Sequence, residues 1–272
     1  MRRLIASLIY RIDRLLPHPR VGGRESRRAY AEWEYEVGKD LLDEHAGHFG
    51  PLIGKSILDI GCGLGGKTAA YAEAGALVVG VDIDHEYISQ SVTFARSRGI
   101  EASFIVGDAE LLSFRQETFD LIIANDSLEH FLHPEKALSE FSRVLRPGGL
   151  LFLFFTPWRS PLGSHLYDYI RTPWCHLIFR ESLIEELLRI VLQERDERQP
   201  EQEAGRLMEE FRTELNRITI SRYRRILEER PELVIMYEEL KPPKFTMLKP
   251  LTGIPLLNEF FTGTVVGILR KR

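Results

Sequence analysis

Apolar and polar positions along this chain follow two periods. From Lys55 onward, short apolar runs at 57–60, 77–81, 103–106, 121–124 and 150–155 read as strands buried on both faces. Between most of them, segments 67–73, 85–98 and 134–144 carry helical spacing. Strand and helix in alternation predict an α/β fold on a doubly wound sheet. Strand character returns at 233–237 and 264–269, after a break in the rhythm.

Two regions depart from that alternation. In residues 1–16, Leu4, Ile5, Leu8, Ile9, Ile12, Leu15 and Leu16 follow helical spacing, with Arg2, Arg3, Arg11 and Arg14 on the other face. Pro17 and Pro19 end this helix, and a second is expected over about 27–45. Further on, 157–179 reads as a ring-rich loop holding Trp158, Tyr167, Tyr169, Trp174 and Phe179. The mixed-charge stretch 181–230 reads as two helices separated at Pro200. Their stripes are Leu183, Ile184, Leu187, Leu188, Val191 and then Leu207, Phe211, Leu215, Ile218.

Composition narrows the function classes. The 272 residues carry 36 basic and 40 acidic side chains, a net charge of −4. That balance argues against an affinity resting on many phosphate contacts, so no nucleic-acid partner is expected. The charge is uneven, because eight arginines precede Tyr30 against Asp13 and Glu25 alone, a local balance of +6. Such a segment suits peripheral contact with an anionic membrane through residues 1–16, or packing on its own domain. No apolar run nears the roughly 20 residues of a bilayer span. The first helix shows no small-residue cleavage site, so a secretory signal is not expected. Two cysteines, Cys62 and Cys175, are too few for a disulfide framework and fit a cytoplasmic setting.

The first strand leads into Asp59-Ile60-Gly61-Cys62-Gly63-Leu64-Gly65-Gly66-Lys67-Thr68. Three patterns overlap there. Gly61, Gly63 and Gly66 fit the dinucleotide fingerprint, and Gly61 with Gly66-Lys67-Thr68 fits a phosphate loop. Asp59-x-Gly61-x-Gly63-x-Gly65 resembles the first motif of class I S-adenosylmethionine (SAM) methyltransferases. Charge separates them. A phosphate loop offers backbone N–H groups to an anion, and a carboxylate beside it repels. Asp59 instead attracts a ligand carrying a sulfonium and an ammonium group. Asp82, 21 residues after Gly61, ends the second strand where an acid can accept both ribose hydroxyls, while Asp84 is better placed to cap the following helix.

The resemblance to class I methyltransferases extends over roughly residues 50–160. Gly107-Asp108-Ala109-Glu110 is similar to the family's adenine-binding turn. Phe119-Asp120-Leu121-Ile122-Ile123-Ala124-Asn125 resembles its fourth strand, and Leu145-Arg146-Pro147-Gly148-Gly149 the turn into its fifth. The resemblance implies a Rossmann-like sheet of seven strands with the last antiparallel, and SAM as cofactor. It also implies a cofactor set of Asp59, Gly61, Cys62, Gly63, Asp82, Ile83, Asp108, Ala109 and Asn125. The expected organisation is an N-terminal helical segment (1–48), a SAM-binding core (49–156), an aromatic loop with a helical cap insertion (157–230) and closing strands (231–272).

The candidate chemistry follows the fourth and fifth strands. Asp126, Glu129 and His130 sit at i, i+3 and i+4 of an expected helix. His130 suits a general base toward a hydroxyl acceptor. The same residues are similar to a metal-holding arrangement of some O-methyltransferases. Asp126 and Glu129 also fit a capping box, with His130 packed. After the fifth strand, Thr156, Trp158, His165, Tyr167, Trp174 and His176 either select a planar, sugar-like or lipid-like acceptor or pack the inserted helices. The expected activity is methyl transfer to a small-molecule or lipid-linked acceptor at oxygen. The alternatives are a non-catalytic SAM-binding assembly protein and a nucleotide-binding enzyme.

Overall fold

In the computed structural model, residues 2–17, 25–243, 249–255 and 257–272 are described. Seven strands form one sheet: β1 (Ser56–Ile60), β2 (Leu77–Asp82), β3 (Ser103–Val106), β4 (Phe119–Asn125), β5 (Leu145–Phe155), β6 (Leu233–Lys241) and β7 (Thr264–Lys271). Their spatial order is β3-β2-β1-β4-β5-β7-β6. β1 pairs in parallel with β2 on one side and β4 on the other, and β3 and β5 continue the parallel arrangement outward. The closing strands run antiparallel. Sequence order therefore reverses between β1 and β4, which makes the crevice beyond their carboxyl ends the natural ligand position of such a sheet.

The described residues divide into two compact units. The larger comprises Val21–Phe155, Arg224–Glu239 and Val266–Arg272, and the smaller comprises Met1–Arg20, Thr156–Tyr223 and Leu240–Val265. The expected 1–48 segment thus does not stay together. Its first helix, α1 (Arg2–Asp13), belongs to the smaller unit, and its second, α2 (Arg27–Phe49), belongs to the larger. Pro19 lies outside the described residues.

In the larger unit, Ile57, Leu121, Ile123 and Phe152 of the sheet pack against Leu41 and Phe49 of α2 and Tyr71 of α3 (Gly66–Glu73). Leu58, Ile60 and Ile122 point to the other face and are equally buried, which is why β1 and β4 read as continuous apolar runs. On the loop side, α2 crosses the start of α3 at close range. A Cβ on Gly66 would stand 2.2 Å from the Ala31 carbonyl oxygen. Gly66 is therefore required by helix packing. α4 (His85–Ser97) and α5 (Pro134–Val144) complete the flanking layers, and Asp84 caps α4 by accepting from the Glu86 and Tyr87 amides.

The smaller unit has its own core. The stripes of α7 (Glu181–Glu194) and α8 (Pro200–Thr213), among them Ile184, Leu188, Val191, Leu207 and Phe211, share one cluster with Cys175 of the short α6 (Cys175–Ile178). The second stripe does not continue as one helix. The chain leaves helical conformation after Thr213, Arg217 takes φ +56°, and a third helix, α9 (Ile220–Glu228), starts where the Thr219 hydroxyl accepts from the Arg222 amide. Leu215 and Ile218 are buried from that connection instead.

α1 packs against α7, but not through its leucine-rich face. Ala6, Tyr10 and Asp13 turn inward, while Leu4, Ile5, Leu8 and Ile12 are exposed. Two polar contacts hold this orientation. The Asp13 carboxylate accepts from the Thr172 amide and hydroxyl, both at 2.7 Å, and the Tyr10 hydroxyl donates to Glu194 at 2.6 Å. Small Ala6 lets the helix approach α7 closely.

Candidate functional site

Four strands of the larger unit deliver polar residues to one edge of the sheet. Register aligns Asp59 with Gly80, Ile60 with Ala124, Asp82 with Val106, and Asn125 with Phe154. The glycine loop, Asp82, Asp108 and Asn125 therefore share the carboxyl edge beside the switch point.

The loop uses most of its own donors internally. The Gly61 and Cys62 amides donate to the Val81 carbonyl at 2.8 and 3.1 Å, and the Gly65 amide donates to the Cys62 carbonyl at 2.9 Å. The Gly63 amide donates to Asp82 Oδ2 at 2.9 Å, and Asp82 Oδ1 accepts from the Asp84 amide at the same distance. An anion nest needs such amides turned toward the ligand. Lys67 and Thr68, which a phosphate loop would present to phosphate and metal, are also engaged. Thr68 is fully buried and donates to Asp59 Oδ2 at 2.6 Å, and Lys67 reaches Asp126 at 3.5 Å and Glu34 at 3.7 Å. The phosphate-loop reading fails on these contacts. Gly63 takes φ +52°, and the place its Cβ would occupy has no atom within 4 Å, so the loop is open there.

Electrostatics run the same way. Asp59 is 2 % exposed, beneath the loop and not at its mouth, and burial pushes its carboxyl up to about 6 despite the Thr68 hydroxyl and Lys67. Burial raises Glu34 to about 7, and Lys67 opposes that rise. Burial works against the Lys67 ammonium, but Asp126 and Glu34 outweigh it and hold its pKa above the ordinary lysine value. Three or more carboxylates around one lysine leave the edge short of positive charge. A cation bound nearby would relieve that crowding.

The remaining expected residues fall into place around the loop. Cys62 is buried with its thiol pushed well up by burial, so it offers backbone and packing but not reactivity. Ile83 is 74 % exposed beside Asp82, an apolar surface next to the strand edge. The Asp108 carboxylate accepts from the Glu110 amide at 2.8 Å, and Ala109 is buried behind it. Asn125 is buried and donates from Nδ2 to Asp126 at 2.9 Å.

The segment after β4 differs from expectation. Only Leu128–His130 is helical, as a single 3-10 turn, and its cap position is Ser127, whose side chain makes no capping bond. Asp126 takes φ +54° and turns to Lys67 and Asn125, so it neither caps nor shares a helix face with Glu129 and His130. Glu129 is buried and His130 exposed. The capping-box reading is corrected on this geometry, and the arrangement of all three around one metal loses its helical basis. Ser127 places a buried, unpaired hydroxyl next to Gly61. That hydroxyl and Glu34 carry no signal in the sequence, and Lys67 carried one only as a phosphate-loop lysine.

In the smaller unit, the ring-bearing residues largely pack. Trp158 meets His176 edge-on at 4.6 Å, and His176 Nε2 lies 2.7 Å from the Trp158 carbonyl. Burial lowers the His176 pKa, keeping a neutral ring that donates there. Trp174 donates from Nε1 to the Phe260 carbonyl at 3.0 Å and stacks edge-on to Phe261. His165 and Trp174 both hold left-handed backbone.

Comparison with known proteins bears on the larger unit. Residues 58–153 match the family model described as a methyltransferase domain. The ubiquinone biosynthesis O-methyltransferase of Coxiella burnetii is 34% identical over 119 residues, 44% of this chain and 50% of that protein. An uncharacterized methyltransferase of Mycobacterium avium is 32% identical over 155 residues, 56% of this chain and 60% of that protein. The chain thus spans about half the length of the curated relatives it matches. Among solved structures, the PH0226 protein of Pyrococcus horikoshii aligns with a TM-score of 0.56 at 22% identity, covering 88% of this chain and 91% of that one.

Proposed function

We propose that the chain, whose residues 58–153 match the family model of a methyltransferase domain, transfers a methyl group from SAM to an oxygen of a small-molecule or lipid-linked acceptor. One observation carries the cofactor side. The glycine loop has turned its amides, its lysine and its threonine inward, and it is bordered by carboxylates. It suits a cationic sulfonium ligand and not a chain of phosphates.

In this reading Asp82 accepts the ribose hydroxyls, and Ile83 with Ala109 and Asp108 receives the adenine. The open side of Gly63 admits the cofactor, and the Asn125 backbone borders its sulfur end. When bound, SAM supplies an electrophilic methyl for in-line displacement. The chain's share is to hold donor and acceptor aligned and dry. His130, exposed just beyond β4, takes the hydroxyl proton of the acceptor. The name carried by the Coxiella burnetii relative supports oxygen as the acceptor atom. Both cysteines are buried free thiols, as suits a reducing cytoplasm.

The test is methyl-label transfer from SAM into cell extract, with lipid and polar fractions kept separate. Label is expected in an alkali-stable ether or a labile ester of one fraction. His130→Ala should slow that transfer about 100-fold while SAM affinity is unchanged. Label on nitrogen or carbon, or full turnover in the variant, contradicts the oxygen and base assignments respectively.

A further inference from the structure

The outward face of α1 is the least expected surface of the smaller unit. Its longest side chains point away from the core: Leu4 is 77 % exposed, Leu8 61 % and Ile12 56 %, and Leu15 just beyond the helix is 83 % exposed. A helix that only needed to pack would turn those residues inward. Here Ala6, Tyr10 and Asp13 occupy the inner face, and Tyr10 and Asp13 are held by Glu194 and Thr172. The orientation is set by specific contacts.

Charge indicates what covers this face. Asp13 is the only acid among residues 1–16, and it is turned inward and used. Arg11 is exposed beside Leu4, Leu8 and Leu15 on the helix circumference, while Arg3 turns to α7 and pairs with Glu186 at 3.9 Å. The outer surface of α1 therefore joins apolar side chains to the Arg11 cation, with no acid of its own, on a chain whose net charge is negative. A protein partner for such a face needs a groove with an acidic rim. A bilayer containing anionic lipid offers both features over any length. Twelve residues span about 18 Å as a helix, too short to cross a bilayer and suited to lying in its interface.

We propose that α1 seats this protein on an anionic bilayer surface, with Leu4, Leu8 and Ile12 in the acyl boundary and Arg11 among the headgroups. This docking stands apart from methyl transfer and does not depend on it.

The experiment is co-sedimentation of the full chain with phosphatidylcholine vesicles, with and without phosphatidylglycerol. Binding is expected only where phosphatidylglycerol is present, and it should weaken with added salt. Leu8→Asp with Ile12→Asp should lower vesicle affinity at least tenfold, and Arg11→Glu at least fivefold. Because these side chains are exposed, the thermal midpoint of each variant should match the parent. Failure to bind phosphatidylglycerol vesicles overturns the proposal, as does equal binding to both vesicle types. A dimer seen by sedimentation velocity, lost in the Leu8→Asp, Ile12→Asp variant and unaccompanied by vesicle binding, assigns the face to a second copy and also overturns it.

Discussion

Asp59 and Asp13 are both 2 % exposed, and each carboxylate accepts from a threonine hydroxyl. Their surroundings differ. Asp13 also accepts from the Thr172 amide, and it serves to fix α1 within the smaller unit. Asp59 sits with Glu34 and Asp126 around buried Lys67, and Asp82 adds a further like charge beside it. Its burial pushes it to about 6, because water is gone and Lys67 is shared. The same residue type therefore staples a helix in one unit and charges a ligand edge in the other. A buried carboxylate marks a site when like charges crowd it, not merely when it is buried.

The sharpest challenge to this contrast is Asp82→Ala. It removes the acceptor expected for ribose and the partner of the Gly63 and Asp84 amides. SAM affinity should fall by roughly 2–4 kcal/mol by calorimetry, since hydrogen bonds to charged groups contribute about 1.5–3 kcal/mol each. Unchanged affinity removes Asp82 from the site.

A second effect follows pH at Asp59. Asp59 is raised above the ordinary carboxylate range, so the folded state keeps a proton that the unfolded state has released. Stability tied to that proton is present in acid and lost as pH rises through about 6. The loss is on the order of 3 kcal/mol, because each tenfold gain in proton affinity on folding is worth about 1.4 kcal/mol. Thermal midpoints should fall between pH 4.5 and 7, and Asp59→Asn should flatten that fall. Asp13→Asn should lower the midpoint, because the Thr172 amide and hydroxyl lose their acceptor. A fall that persists unchanged in Asp59→Asn contradicts the assignment to Asp59.

Much of the larger unit was legible because each layer of information agreed. The runs at 57–60 and 121–124 are buried on both faces and lie within β1 and β4, while 77–81 lies within β2 but leaves Leu77 exposed. The carboxylates at their ends followed from strand polarity. Asp84 capped its helix because it stands one residue before the first helical turn. What stayed hidden depended on contacts distant in sequence. Glu34 reaches Lys67 from α2, which no local pattern announces. Hydrophobicity alone does not give the face that α1 turns inward, since small Ala6 and hydrogen-bonded Asp13 occupy the interface in place of larger leucines. Leu215 and Ile218 continued a helical stripe in spacing only, while the chain had already turned at Arg217. After β4, left-handed Asp126 broke the expected helix because Lys67 and Asn125 hold its carboxylate.

If the glycine loop is built for a sulfonium ligand, calorimetric titration of the full chain with SAM, with ATP and magnesium, and with NAD will separate the three. Saturable binding of SAM, with proton release near pH 6.5 and no heat from either nucleotide, is the expected result. Saturable binding of ATP or NAD alongside indifference to SAM contradicts it.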